Sequence, residues 1–480
     1  MTTVIEPLID GKTITTKEYF ETHDPADASV IAHIGTCGRE EVDNAVAAAR
    51  RATEPWSSLS AQERGVLLQN LAKLILRDQE SLARLESRDV GKPLSQARND
   101  VLVAARYFEF YAGVISALHG ETLPTPSGIF GYTLRVPHGV TGHITPWNYP
   151  LQISARTLAP ALAAGNCVVH KPAEGTPLTA VEVAGLAMQA GFPAGVFNVI
   201  TGDGAVGAML ASHPGIDHIS FTGSVETGRK VGHAAAETLI PSTLELGGKS
   251  PNIVFSDADL DAAIPSIVNS IIQNAGQTCV AGSRLLVHRD VHAQVVSAVA
   301  DRFSRLKLGR GLDDPDLGPL VSKQQQARVK RYVSQGRAEA DLVFGGSIPV
   351  GEGLGGGWFF EPTLFDNVPG DSVIGQEEIF GPVLTVTPFT DEAEAIRIAN
   401  GTDYGLIAAV WTADVDRAHA MVRALHAGQV FVNNYGAGGG IELPFGGVKR
   451  SGYGREKGFE ALLGYTYTKT VAVRVPKANW

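Results

Sequence analysis

TGHITPWNYP at residues 141–150 opens a series that sets the architecture of this chain; CVVHKPAE at 167–174, VFNVITGDG at 196–204 and HISFTGSVETG at 218–228 follow the same plan. Each begins with a short apolar run (141–144, 167–170, 196–200 and 218–221) and ends in a turn rich in Gly, Pro, Thr, Asn or Ser. Runs of that length between turn residues read as buried strands, and a helical stretch follows each. Strands alternating with helices imply an α/β fold with a parallel sheet covered on both faces, which binds dinucleotides at the carboxyl ends of its strands.

Downstream, a second alternating series from residue 262 to about 447 indicates a second α/β lobe, and no repeat of fixed period runs through the 480 residues. Upstream, residues 40–108 are helical: Leu67, Leu68, Leu71, Leu74 and Ile75 share one face, with Gln69, Asn70 and Lys73 opposite. The helical period stops around 120–139, where 132–136 reads as a strand. Its partner is the terminal run 465–475, rich in Thr, Tyr and Val, and such a pair presents an edge to another subunit.

Composition narrows the function. Hydrophobic residues at 44% and charged residues at 19% fit a globular enzyme, and many of the 54 glycines fall in short clusters suited to close backbone approach. A net charge of −10 argues against a nucleic-acid partner, since such affinity is built from clustered Lys and Arg. Residues 1–11 contain Glu6 and Asp10 without the basic and apolar regions of a signal peptide. No run of about 18 apolar residues suggests a membrane span. A cytoplasmic protein with no membrane contact is expected. Three cysteines, Cys37, Cys167 and Cys279, make neither a disulfide framework nor a zinc site, so no metal is expected.

Five segments carry candidate chemistry. Asn148, in the turn after strand 141–144, either donates to a developing oxyanion, worth about 3–4 kcal/mol in the transition state, or closes a turn beside Trp147. Lys171 and Glu174 follow strand 167–170. They either reach the hydroxyls of an adenosine ribose, where a carboxylate repels a 2′-phosphate and favours NAD over NADP, or form a solvated pair. The turn 222–228 precedes a helix expected near Arg229; free N–H groups there suit a pyrophosphate, and Gly223 permits close approach. The three-glycine dinucleotide fingerprint is absent, while Gly202 and Gly204 form a similar turn. Glu245 stands among apolar residues before Gly247 and Gly248, as a general base raised by burial or as a capping or salt-bridged residue. Cys279, after a polar Gln-Thr lead-in, is a nucleophile whose thiolate the N–H dipoles of a helix start would favour, or a packing thiol. Cys167, inside an apolar strand, reads as packing, and Cys37 has no evident partner.

These segments, with 145–151, 171–174, 221–228, 244–249, 276–279, 377–382 and 444–458 in order, make the chain resemble the hydrolytic, non-acylating branch of the NAD(P)-dependent aldehyde dehydrogenase superfamily over essentially its whole length. The spacing 279 − 245 = 34 agrees with that family. The resemblance implies Cys279 as nucleophile, Glu245 as base for the thiol or the hydrolytic water, and Asn148 with the Cys279 N–H as oxyanion site. NAD would contact Lys171, Ala173 and Glu174 on its adenosine side and Gly204, Phe221, Thr222, Gly223, Ser224 and Thr227 around the pyrophosphate. Glu378 would meet the nicotinamide ribose and Phe380 the ring, with Ile144, Thr145, Pro146, Trp147, Leu246 and Gly247 completing the site. It further implies an NAD-binding domain at 1–118 and 140–246, a catalytic domain at 247–447, oligomerisation strands at 119–139 and 460–480, and a homodimer or homotetramer.

For the substrate, Arg156 lies nine positions after Trp147, where broad aliphatic members carry an aromatic residue, and members acting on succinic semialdehyde or hydroxylated aromatic aldehydes carry Arg. It either pairs with a substrate carboxylate or hydroxyl or forms a structural ion pair. Semialdehyde members tend to carry a second Arg six positions before the nucleophile, where this chain has Gln273. Tyr149 and Tyr435 are further candidates, and the loop 435–443, with three consecutive glycines, is expected to form an open, mobile wall of the substrate entrance. The small-molecule substrate expected first is a polar aromatic or heteroaromatic aldehyde, and second an aliphatic semialdehyde. A CoA-acylating dehydrogenase is disfavoured by Glu245, and a non-redox cysteine esterase remains the reading outside redox chemistry.

Overall fold

A computed structural model describes residues 3–351, 353–436 and 440–476. Its first sheet has eight strands in the order Gly452–Tyr453, Ser242–Glu245, His218–Thr222, Val140–Ile144, Cys167–Lys171, Phe197–Val199, Leu8–Ile9 and Lys12–Thr13. The five from Ser242–Glu245 to Phe197–Val199 are parallel and the flanking ones antiparallel. Every residue of the three strands between Thr243 and Phe197 in that order is buried, as a sheet covered on both faces requires. Register pairs Ile144 with Lys171, Phe221 with Ile144 and Thr222 with Glu245, so four strand ends share one rim. Chain order runs outward in both directions from Val140–Ile144, and the crevice between its end and that of His218–Thr222 is the switch point where open α/β sheets take ligands.

The second sheet has seven strands, in the order Asp341–Phe344, Thr363–Asp366, Val383–Phe389, Arg284–His288, Pro251–Val254, Ile407–Trp411 and Gln429–Val432, parallel except at the first edge. Helices Arg39–Ser57, Ala61–Arg77, Gln79–Val90 and Leu94–Val114 cover the first lobe. Leu68, Leu71 and Ile75 are fully buried there, with Leu67 and Leu74 packed beside them and Gln69 and Lys73 exposed.

Strand Ile129–Pro137, longer than the expected 132–136, pairs antiparallel with Thr466–Arg474 from Thr466 opposite Pro137 to Arg474 opposite Ile129. Thr122–Leu123 lies on its other side, which leaves Thr466–Arg474 as the edge strand. A further three-stranded sheet, Thr3–Ile5, Val30–Thr36 and Glu18–His23, was not anticipated. Two local expectations need correction. The helix after Thr222 begins at Val225 rather than near Arg229, because the Ser224 hydroxyl caps it by accepting from Thr227 N–H at 3.2 Å. Ile441, expected in the second lobe, packs into the first core with Ala461, Leu462 and Tyr465. The returning chain also lays Gly452–Tyr453 against the otherwise open edge of Ser242–Glu245. Among the described residues no helix is long and apolar enough to cross a membrane.

Candidate active site

At the rim of the first sheet the chain leaves Val140–Ile144, turns through residues 145–149 and enters the helix Pro150–Ala164. Pro150 fits the first helical position because its missing N–H would be unpaired there anyway. Thr145 anchors the turn: its N–H donates to Lys171 O at 3.2 Å and its hydroxyl meets His170 Nε2 at 2.9 Å. Asn148 is buried, its Nδ2 donates to Gln277 O at 2.8 Å, and its Oδ1 has no partner. One amide hydrogen is thereby fixed, which orients the second for another acceptor.

Asn148 reaches the segment that carries Cys279. There Asn274 (φ 47°), Ala275 (φ 54°) and Gly276 (φ 72°) are all left-handed. Each non-glycine residue in that conformation costs about 1–2 kcal/mol, so the surroundings must hold it. Asn274 N–H donates to Gln96 Oε1 at 2.9 Å, Asn274 Nδ2 to Asn148 O at 2.8 Å, and Gln277 Nε2 to Asn274 O at 3.0 Å. Gly276 is obligatory, since a Cβ would lie 2.2 Å from Gly381 O. Cys279 consequently sits in a turn, not at a helix start, and the expected dipole support for its thiolate is missing. Burial pushes its thiol up to about 12; Arg156 and Lys457 pull it down, while Glu378 and Glu245 push it further up. The thiol stays protonated until a base takes its proton. Cys37 and Cys167 are buried, and burial raises both thiols.

Glu245 ends its strand fully buried, with neither carboxylate oxygen hydrogen-bonded. Burial raises its pKa well above the usual carboxylate range, and repulsion from Glu456 raises it further against the pull of Arg156. Glu245 is therefore not a lone carboxylate, since Glu456 is buried nearby. Arg156 forms an ion pair with Glu456 through Nε, so the structural pair is present, while its Nη2 is buried without a hydrogen-bonding partner. Removing one partner of a buried pair costs about 3–5 kcal/mol, because the other is left charged and unpaired.

Across the cleft, Gly248 N–H donates to Glu378 Oε1 at 2.9 Å, and burial pushes the Glu378 carboxyl up to about 7. Gly247 is packed so closely that a Cβ would lie 2.2 Å from Glu378 Oε2. Phe380, itself left-handed at φ 62°, meets Trp147 edge-on with ring centroids 5.2 Å apart. Helix Lys323–Glu339 supports this turn: Gln325 Nε2 donates to Phe380 O at 2.6 Å and Arg328 Nη2 to Glu378 O at 2.6 Å.

These elements line an open cleft bounded by Pro146, Trp147, Asn148, Thr222, Gly223, Ser224, Glu245, Leu246, Gly247, Cys279, Glu378 and Phe380, all singled out in the sequence. Ile153, Gln325 and Arg328 also line it and were missed. Outside it, Lys171 is buried at its strand end and donates to Glu174 Oε2 at 3.2 Å, with Ala173 in the loop between. Gly204 is the first residue of a helix capped by Asp203, and Thr227 lies in the first turn capped by Ser224. Ile144 is in the core.

Of the substrate candidates, Tyr435 packs beside Cys279 and donates its hydroxyl to Val280 O at 2.7 Å. The Tyr149 ring lies under Lys92 Nζ, 4.0 Å from its centroid. Gln273 is exposed at the end of its helix and does not line the cleft. In the entrance loop, residues 437–439 lie outside the described residues. Among the described residues no cluster of three His, Cys, Asp or Glu is arranged to hold a metal.

Residues 13–471 match the profile described as the aldehyde dehydrogenase family. The chain is 44% identical over 482 residues to the betaine aldehyde dehydrogenase of Bacillus subtilis (strain 168), covering 98% of both proteins. Among solved structures, the NAD+ complex of an aldehyde dehydrogenase from Bacillus cereus is 42% identical with a TM-score of 0.96, over 98% of this chain and 97% of that one. A variant of the betaine aldehyde dehydrogenase from Staphylococcus aureus in complex with NAD+ is 38% identical, also at 0.96, over 98% and 96% respectively.

Proposed function

The chain belongs to the aldehyde dehydrogenase family, and we propose that it oxidises a polar aldehyde to the carboxylic acid through a covalent intermediate on Cys279, with NAD as the cofactor. The observation that carries this reading is the convergence of a thiol, a buried unpaired carboxylate and a half-engaged amide on one cleft.

The residues fit NAD. Gly223 and Gly247 line the cleft with bare backbone beside Phe221 and Glu378, whose side chains a Cβ would meet at 2.5 and 2.2 Å. Ser224 opens a helix whose first N–H groups suit a pyrophosphate. Lys171 and Glu174 would hold the adenosine ribose and Glu378 the nicotinamide ribose, and Phe380 would flank the ring. NAD, when bound, supplies the hydride acceptor.

Glu245 takes the Cys279 proton, and the sulfur bonds to the aldehyde carbon while the carbonyl oxygen becomes an oxyanion held by Asn148 Nδ2 and the Cys279 N–H. Loss of hydride from that carbon leaves a thioester on Cys279. Glu245 gives the thiol proton up to solvent and then takes a proton from water as the water oxygen bonds to the acyl carbon; the C–S bond breaks, that proton passes to the sulfur, and the acid leaves with the thiol restored. In balance, aldehyde, water and NAD+ give acid, NADH and a proton. Glu245 beside the thiol supports hydrolysis over transfer to coenzyme A.

Incubation with NAD and a panel of oxygenated benzaldehydes and aliphatic semialdehydes should yield NADH and acid in equal amounts. Acid without NADH, as from ester cleavage alone, or a strict need for coenzyme A would overturn the proposal. Polar aromatic or heteroaromatic aldehydes are the first substrate class, semialdehydes the second. The free edge of Thr466–Arg474 supports a homodimer or homotetramer.

Glu174→Gln tests cofactor choice. It removes a carboxylate 3.2 Å from Lys171 Nζ, so a 2′-phosphate meets less repulsion and a freer ammonium. The NAD over NADP preference in kcat/KM should narrow about tenfold, roughly the effect of one 1.4 kcal/mol interaction. An unchanged preference would place the ribose elsewhere.

A further inference from the structure

Phe445 is buried in the apolar patch against which Cys279, Val280 and Tyr435 pack, and two cations stand over its ring. Arg156 Cζ lies 4.8 Å from the ring centroid and Lys457 Nζ 5.2 Å. Glu456 neutralises only one of them, through its ion pair with Arg156. The Lys457 ammonium makes no hydrogen bond or ion pair with any described residue although the residue is half-buried, and Arg156 Nη2 is buried without a partner. Glu245 is the other carboxylate that acts on these cations, but it makes no hydrogen bond to either, so the Lys457 ammonium and Arg156 Nη2 stay without a hydrogen-bonding partner.

The backbone is built to hold Lys457 there. Lys457 is left-handed at φ 61°, an uncommon conformation for a residue with a side chain. It lies between two fixed points: Glu456 and Phe445 exchange N–H···O bonds of 2.6 and 2.7 Å, and Gly458 N–H donates to Ile441 O at 2.7 Å. An outlier so held beside a reactive site is where function is sought.

We propose that Lys457 is a specificity-determining residue that, with Arg156 Nη2, receives an anionic group, a carboxylate, on the far end of the aldehyde substrate. This rests on the reading of the chain as an aldehyde dehydrogenase and narrows its substrate class. A quaternary ammonium aldehyde is disfavoured for the same reason: aromatic rings attract cations, and the Phe445 ring already has two beside it. Burial and the neighbouring Arg156 lower the Lys457 pKa to about 8, with Cys279, Glu456 and Glu245 as the opposing groups, so the ammonium is charged at neutral pH and lost above it.

The test compares kcat/KM for 4-carboxybenzaldehyde with that for benzaldehyde, and succinic semialdehyde with butanal, with betaine aldehyde as the cationic arm. The wild type should favour each carboxylated aldehyde over its neutral counterpart by about tenfold or more at pH 7, the range of one charge-assisted contact. That ratio should shrink as pH rises past 8. Lys457→Met should lower the ratio about tenfold at pH 7, and Lys457→Arg should keep it high at pH 9.5, where the wild type has lost it. A ratio unmoved in Lys457→Met, or a wild type that prefers betaine aldehyde, would overturn the assignment while leaving aldehyde oxidation intact. NADH from none of these aldehydes would instead sink the dehydrogenase reading, and this inference with it.

Discussion

Cys279→Ser lowers kcat for aldehyde oxidation by about 10³-fold or more while the Kd for NAD stays within about twofold of wild type. The expectation follows from what the substitution touches and what it leaves. The Cys279 thiol is pushed up to about 12 by burial, so it needs a base even as a thiol; a serine hydroxyl is far less acidic and also a poorer nucleophile. Residues on the cofactor side do not depend on the sulfur: Glu378 is held by Gly248 N–H, Phe380 O by Gln325, and Ser224 by its own helix cap. The turn itself is kept by Asn274, Gly276 and Gln277, none of which contacts the sulfur through a hydrogen bond. Stopped-flow NADH formation and tryptophan fluorescence quenching by NAD separate the two quantities. Turnover at the wild-type rate would remove Cys279 from the chemistry.

The alternation of short apolar runs and helices was legible because each strand's burial is local: Cys167–Lys171 is buried at every position and reads as an apolar run. Register then brings Thr222, Glu245 and the turn after Ile144 to one rim without any further signal. What was not legible arrives from far along the chain. Gln325 and Arg328 act through backbone carbonyls of 378–380, and nothing in a polar helix surface marks that use. Glu456 and Lys457 lie in a segment singled out for its glycines, but their placement on Phe445 depends on a loop that folds back from 458 to 441. The expected helix start at Cys279 failed for a different reason. Two non-glycine residues take left-handed conformations in succession, a strain that propensity argues against and only tertiary hydrogen bonds sustain.

Glu245→Gln gives the second large effect, and its kinetic form matters more than its size. The first turnover needs a thiolate and an acceptor for hydride, whereas hydrolysis of the thioester needs a base for water. Steady-state kcat should fall by about 10²–10⁴-fold, the range for a positioned general base, and the first-turnover burst of NADH should be lost with it, because Glu245 also takes the thiol proton. A burst approaching one NADH per active site in Glu245→Gln would show that another group takes the thiol proton. The pH profile supplies an independent check with a definite sign. Burial, and then Glu456, hold the Glu245 carboxyl well above its ordinary value, so the base form is scarce at acid pH and accumulates as pH rises through that elevated pKa. Wild-type kcat should therefore climb along an acidic limb displaced upward from that of an ordinary glutamate. In Glu245→Gln that limb disappears, because the amide does not titrate. Steady-state turnover and an acidic limb both identical to wild type would show that water is activated elsewhere, and the unpaired Glu245 carboxylate near the Arg156–Glu456 pair would then need another explanation.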